Sequence, residues 1–91
     1  MTVTVHLPAV LRGMAEGRVE LTVSAATLGQ ALDAIAASYP ALERRLRDER
    51  GTLRRYVNFY VDGEECRRLA GPDTPLRDGA EVMVIPSVAG G

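Results

Sequence analysis

A chain of 91 residues, 46% of them apolar and 25% charged, is sized for one domain and carries enough apolar material to fold it. Its net charge of −1 argues against a nucleic-acid binder that works by neutralising phosphates. The absence of a long apolar run argues against a transmembrane helix, and so against a membrane partner.

The opening Met1–His6 alternates, with no basic stretch followed by an apolar one, so no signal peptide is read there and a cytoplasmic location is expected. All 11 basic residues are arginines. We read this as base composition, but it leaves no side-chain amine for Schiff-base or isopeptide chemistry. Cys66 is the single cysteine, which excludes an internal disulfide and suits a reducing compartment. A domain this small buries only roughly 60–65% of the surface its unfolded chain exposes, so its core has to come from a few well-patterned elements.

Val3, Val5 and Leu7 alternate with Thr4 and His6, the pattern of a half-buried strand. Pro8 weakens its continuation, and Ala9–Gly17 reads as a long turn with Gly13 and Gly17 as breakers. Val19, Leu21 and Val23 alternate again, with Arg18, Glu20 and Thr22 facing out, so the two runs predict a hairpin with a generous loop. The period then changes. Leu28, Leu32, Ile35 and Tyr39 fall on one helical face beside Ala31 and Ala36. Thr27 and Gln30 fit a capping box, and Pro40 stops the helix near Tyr39. Leu42, Leu46 and Leu53 suggest a short, looser helical turn in an arginine-rich stretch ending at Gly51.

Val57, Phe59 and Val61 alternate with Tyr56, Asn58 and Tyr60 as a third strand. Asp62-Gly63 signals a tight turn, with Glu64–Leu69 returning as a short paired segment. Gly71-Pro72-Asp73 is a loop and Leu76 a core plug before the Asp78-Gly79 turn. Val82, Val84 and Pro86 point one way and Met83 and Ile85 the other, giving a last strand. A sheet face of Val, Leu and Phe needs a lid. The order therefore predicts an α+β fold: a ubiquitin-like β-grasp, with a mixed sheet of four to five strands covered by one main helix and the last strand beside the first.

The run Leu76-Arg-Asp-Gly-Ala-Glu-Val-Met-Val-Ile-Pro-Ser-Val-Ala-Gly-Gly91 resembles the end of ThiS/MoaD-type sulfur carriers, β-grasp proteins with a free diglycine terminus. The segment Tyr56-Val-Asn-Phe-Tyr-Val-Asp-Gly-Glu-Glu-Cys66 and the length are most similar to the CysO-like branch, whose carriers serve cysteine synthesis. The resemblance implies a β-grasp body over residues 1–86 and a flexible diglycine tail over 87–91. It implies that Gly91 is the sulfur-carrying residue, adenylated and then thiocarboxylated, and that Val88, Ala89 and Gly90 enter the active site of a partner. The implied partners are an ATP-using E1-like adenylating enzyme, a sulfurtransferase or persulfide donor, and a sulfur-accepting synthase. The chain itself would be a protein cosubstrate and not an enzyme, with no cofactor bound. Two alternatives stand beside this reading: the small subunit of molybdopterin synthase, and a ubiquitin-like modifier or non-sulfur interaction domain.

The residues give that chemistry a physical basis. A carboxylate resists nucleophiles because its charge is delocalised, so it must be converted to a mixed anhydride with AMP before sulfur can enter. A main-chain terminus reaches another protein's active site only on a slim arm. The five residues after Pro86 span at most about 17 Å when extended. Gly90 and Gly91 lack a Cβ and so pass a narrow channel.

Neighbours in a strand face opposite ways, so Val57, Phe59, Val82 and Val84 are core candidates and Tyr60, Met83 and Ile85 form a candidate docking patch on the outer face. Arg44, Arg45, Arg47, Arg50, Arg54 and Arg55, diluted by Glu43, Asp48 and Glu49, read as a solvated helix face with internal ion pairs, the alternative being a site for an acidic partner. Glu64 and Glu65 disfavour a thiolate at Cys66, which reads as a bystander. His6 stands alone, without metal-ligand spacing. Asp62, Glu64, Glu65, Asp73 and Asp78 lie in turns and are assigned no catalysis. No glycine-rich loop with a lysine is present, so the chain is not expected to bind ATP on its own.

Overall fold

The computed structural model describes residues 1–86. The expectations for Val88, Ala89, Gly90 and Gly91, and for residues 87–91 as a flexible tail, fall outside the described residues.

Five strands are present: β1 (Thr2–His6), β2 (Glu20–Ser24), β3 (Val57–Val61), β4 (Glu64–Glu65) and β5 (Glu81–Pro86). They form one sheet in the order β2-β1-β5-β3-β4. β1 and β5 run parallel, and the other neighbours are antiparallel. The last strand thus lies beside the first, at the centre of a mixed sheet, as the element order predicts. Period-two alternation sends Val3, Val5, Val57, Phe59, Val82 and Val84 into the core, all at most 3% exposed.

The main helix, α2 (Leu28–Ser38), covers that face with Leu28, Ala31, Leu32 and Ile35. Full burial of a side chain of the Leu or Ile size contributes about 1.5–3 kcal/mol, so this stripe is what holds the helix to the sheet. Its start is capped reciprocally. Gln30 N–H donates to Thr27 Oγ1 at 3.2 Å, and Gln30 Oε1 accepts from the N–H of Ala26 at 2.9 Å, one residue before the cap. Gly29 allows the helix to close on the loop after β4: a Cβ there would lie 3.2 Å from the Pro72 carbonyl oxygen.

Three readings need correction. The Ala9–Gly17 turn contains helix α1 (Ala9–Arg12) and a 3-10 turn over Gly13–Ala15. Leu11 and Ala15, four residues apart, are both buried. Gly13 adopts helical angles (φ −61°) and breaks nothing, and the chain reverses only at Glu16 and Gly17 (φ 57° and 79°). Pro40 does end α2, but it also opens a further helix, α3 (Pro40–Leu46), from its first turn, where a missing N–H costs nothing. Leu42 and Leu46 are fully buried on it, so the short helical turn expected there is a regular helix that joins α2 over the core; it ends at Leu46 and not at Gly51, and Leu53 returns through an isolated bridge to Arg47. Val19, read as inward-facing, is 57% exposed because β2 begins one residue later.

Candidate functional site: the outer sheet face and the exit of the tail

β5 pairs with β1 over Glu81–Met83 and with β3 over Val82–Pro86, so it is held on at least one side up to its end at Pro86. Its start is fixed by the Asp62-Gly63 turn, whose two residues both take positive φ (49° and 88°), the geometry of a tight hairpin. Asp62 N–H donates to the Glu81 carbonyl at 2.8 Å, and Glu81 N–H donates to Asp62 Oδ1 at 3.0 Å. The strand that leads to residues 87–91 is therefore a fixed rail in the middle of the sheet.

The apolar side chains of β5 that turn from the core are Met83, 49% exposed, and Ile85, 44% exposed, in phase with the exposed Glu81. Met83 stands opposite His6 of β1 and Tyr60 of β3, and Ile85 opposite Asn58. The structure thus brings Tyr60, Met83 and Ile85 onto one outer face, where they line a shallow depression of about 510 Å³ with His6, Asp62 and Glu81. Beside Ile85, Arg67 donates to Asn58 Oδ1 at 2.9 Å and to the carbonyls of Arg54 and Val57, tying the start of β3 down.

His6 is the residue that sequence reasoning passed over. Its Nε2 lies 2.7 Å from Glu81 Oε1 and its Nδ1 3.6 Å from Glu20 Oε2. It sits in the same outer-face row as Met83, with a carboxylate on each side. Its outward phase was legible, since it shares that phase with Thr4; the parallel pairing that sets it against Met83 was not.

The remaining candidates are structural. Cys66 is fully buried; burial first, and the charge of Glu65 second, push its thiol up, so it is held as the unreactive form. Within the arginine-rich segment, Arg47, the residue that caps α3, bonds Glu43 on that helix and Asp33 on α2. Burial pulls the Arg47 guanidinium down, but these carboxylates outweigh it and leave the group raised. Arg54 donates twice to the Arg44 carbonyl. Of the six arginines in that segment, Arg47 and Arg54 are thus bonded within the chain and, among the described residues, only Arg47 by ion pairs. Among the described residues no group of three or more His, Cys, Asp or Glu could hold a metal ion, and no helix is long and apolar enough to cross a membrane.

The ThiS family model matches residues 5–91. The sulfur carrier protein CysO of Mycobacterium tuberculosis is 39% identical over 93 residues, spanning 100% of both chains. Among solved structures, a chain of the Amycolatopsis orientalis BexX/CysO complex superposes with a TM-score of 0.90 at 31% identity, covering 98% of this chain and 99% of that one. The small archaeal modifier protein 1 of Methanosarcina acetivorans superposes with a TM-score of 0.84 at 33% identity, covering 99% of this chain and 96% of that one.

Proposed function

The chain belongs to the ThiS family and is a sulfur carrier, and on that premise we propose that Gly91 is the residue that carries the sulfur. A carrier of this kind is a protein cosubstrate. The Gly91 carboxylate attacks the α-phosphorus of ATP in the active site of an E1-like adenylating enzyme, releasing pyrophosphate and leaving an acyl adenylate. Sulfide attacking the acyl carbon expels AMP and gives the thiocarboxylate directly; a sulfurtransferase or other persulfide donor gives an acyl disulfide instead, which a second thiol cleaves to the thiocarboxylate with release of a disulfide. The thiocarboxylate then passes its sulfur to an accepting synthase. ATP is used by the partner and not held by the carrier. The resemblance to CysO supports cysteine synthesis as the pathway served, and the cytoplasm as the place.

One observation carries the reading. The central strand ends at Pro86 with five small residues to run, and the outward residues of that same strand, Met83 and Ile85, form the exposed apolar patch. A partner that covers Tyr60, Met83 and Ile85 would sit on the strand that ends at Pro86, which supports the reading. Val88, Ala89 and Gly90 form the arm that enters its active site, in the manner of other captured C-terminal segments. The test is intact-mass analysis after incubation with ATP, the cognate activating enzyme and a sulfur source. The expected result is the mass gain of one oxygen replaced by one sulfur, located at Gly91. An unchanged mass with an enzyme that is competent on another carrier refutes it.

The likeness to an archaeal modifier protein favours one second reading, in which the activated Gly91 is transferred to the lysine of a target. That reading predicts a Gly91 isopeptide bond in target digests, which the sulfur-carrier reading does not.

A further inference from the structure

The two edges of the sheet are unequal. β4, at one edge, is two residues long, which leaves little to pair with. β2, at the other, is five residues long, and among the described residues no strand pairs with its far side. The phase of its ladder with β1 follows from the bonds at its ends. Leu7 N–H donates to the Val19 carbonyl at 2.9 Å, and Ala25 N–H donates to the Met1 carbonyl at 2.9 Å. Between them the register runs Val5↔Leu21 and Val3↔Val23, so the odd-numbered residues of β2 form the hydrogen-bonded pairs, because such pairs alternate along an antiparallel ladder. The N–H and C=O groups of Glu20, Thr22 and Ser24 therefore point away from β1 to the open edge. All three residues are exposed.

What they face is a groove. Between β2 and the second half of α2 lies a cleft of about 440 Å³, floored by Leu21, Val23, Ala34, Ile35 and Tyr39, with Arg18 beside the first residue of the strand. Three donor–acceptor pairs, each roughly 6.6–6.8 Å from the next along the strand, match the repeat of another extended backbone and of no compact ligand. The half-buried Val23, Ala34 and Tyr39 are the open apolar part of that floor and take alternate side chains of such a strand, and the Arg18 guanidinium takes a carboxylate at one end.

We propose that the β2 edge captures an extended segment of a partner protein by strand addition, a segment that alternates apolar residues into the β2–α2 cleft and sets an acidic side chain against Arg18. This surface is separate from the tail-side patch: Met83 and Tyr60 lie on strands two and three places away in the sheet. A partner held at β2 leaves the outer face open, so the carrier body can be tethered to one protein while it presents its terminus to another.

The test uses the full chain and a phage-displayed library of random nine-residue peptides. Selection is expected to enrich peptides in which apolar residues alternate and an acidic residue recurs at one end. On binding, the amides of Glu20, Thr22 and Ser24 slow in hydrogen exchange while those of β5 do not. Thr22→Pro removes an edge N–H without touching the ladder to β1, a placement that suits proline in an edge strand, and should weaken the selected peptides about 10-fold or more. Thr22→Ala keeps the N–H and should bind as the parent does. Three outcomes overturn the proposal: no enrichment, enriched peptides that bind Thr22→Pro equally well, or edge amides already slow in the free protein. In the last case sedimentation shows whether a second copy or the chain's own end covers the strand. Should Thr22→Pro fail to fold, the exchange pattern on the unaltered protein decides the matter. Thiocarboxylate formation by the Thr22 variants should match the parent, so failure here and failure of the sulfur-carrier reading are told apart.

Discussion

Met83 gives the sharpest test of the docking face. Full burial of a methionine side chain is worth about 1.5–3 kcal/mol. In the free carrier 49% of Met83 is still open to solvent. The share an interface can newly cover is therefore about half, or about 0.7–1.5 kcal/mol. Met83→Ala removes most of it, and since about 1.4 kcal/mol corresponds to tenfold, the KM of the adenylating enzyme for the carrier should rise about 3- to 12-fold. The acyl chemistry happens at Gly91 and is untouched, so kcat should hold, the signature of lost uniform binding. Met83→Glu should raise KM further. It places a carboxylate beside Glu81 and Glu20, which already flank His6 in the neighbouring row, and asks the interface to desolvate it. Both variants point outward and should leave stability within about 0.5 kcal/mol. The assay is ATP–pyrophosphate exchange against carrier concentration, with a thermal melt of each variant. A KM within twofold of the parent for both substitutions, at unchanged Tm, refutes the assignment of this face to docking.

The other expectations are simpler. Adding one alanine after Gly91 should abolish thiocarboxylate formation, read by intact mass, and leave the melting curve unchanged; sulfur transfer that survives the extension contradicts the assignment of Gly91. Arg47→Ala strips α2 and α3 of their shared guanidinium and leaves Glu43, itself 9% exposed, unpaired, so denaturant unfolding should show a loss of about 1–3 kcal/mol. Arg47→Lys should recover only part of this, because an ammonium does not fork between Asp33 and Glu43. Asp48 is held below its usual range first by the Thr52 N–H and also by the Arg50 N–H. A depressed carboxylate stabilises the fold above its unfolded value and loses that contribution as pH falls through its folded value. The stability advantage of the parent over Asp48→Asn should thus be flat at neutral pH and shrink below about pH 4; an advantage that grows with acid is the wrong sign.

Most of the fold was legible because its signals are local. Alternation in Val3–Val5, Val57–Val61 and Val82–Ile85 fixes both the strand and its inward phase, so the outward placement of Tyr60, Met83 and Ile85 followed from the same reading. Where two local signals competed, the weaker rule prevailed. Gly13 and Gly17 read as breakers across a segment in which Leu11 and Ala15 already sat at helical spacing; burial decided for the helix, and Gly13 followed it. Pro40 read as a stop, although the same residue at a first helical position is a start. What stayed hidden is non-local. Nothing near His6 says that β5 runs parallel to β1 at the register that faces it with Met83. Nor does anything near Thr22 say that β2 is an edge.

The sulfur-carrier reading asks residues 87–91 to enter a partner and leaves recognition to residues 1–86, and composition supports that allocation. Ser87-Val-Ala-Gly-Gly91 offers one side chain larger than a methyl or hydroxymethyl group, so by area it supplies about 1–2 kcal/mol of apolar burial at best, set against the backbone entropy that glycine loses on ordering. Such a segment fits many narrow channels and selects none of them. Recognition has to come from the folded part, and only features rigidly related to Pro86 can aim the terminus. The outward residues Met83 and Ile85 meet that requirement directly, since they belong to the strand that ends at Pro86; Met83 is paired on both sides, to β1 and β3, and Ile85 to β3. Residues on β4 or α3 reach Pro86 only through other elements. It follows that exchanging the tail between two carriers of this fold should leave the choice of activating enzyme with the body, whereas exchanging His6, Tyr60, Met83 and Ile85 should move it.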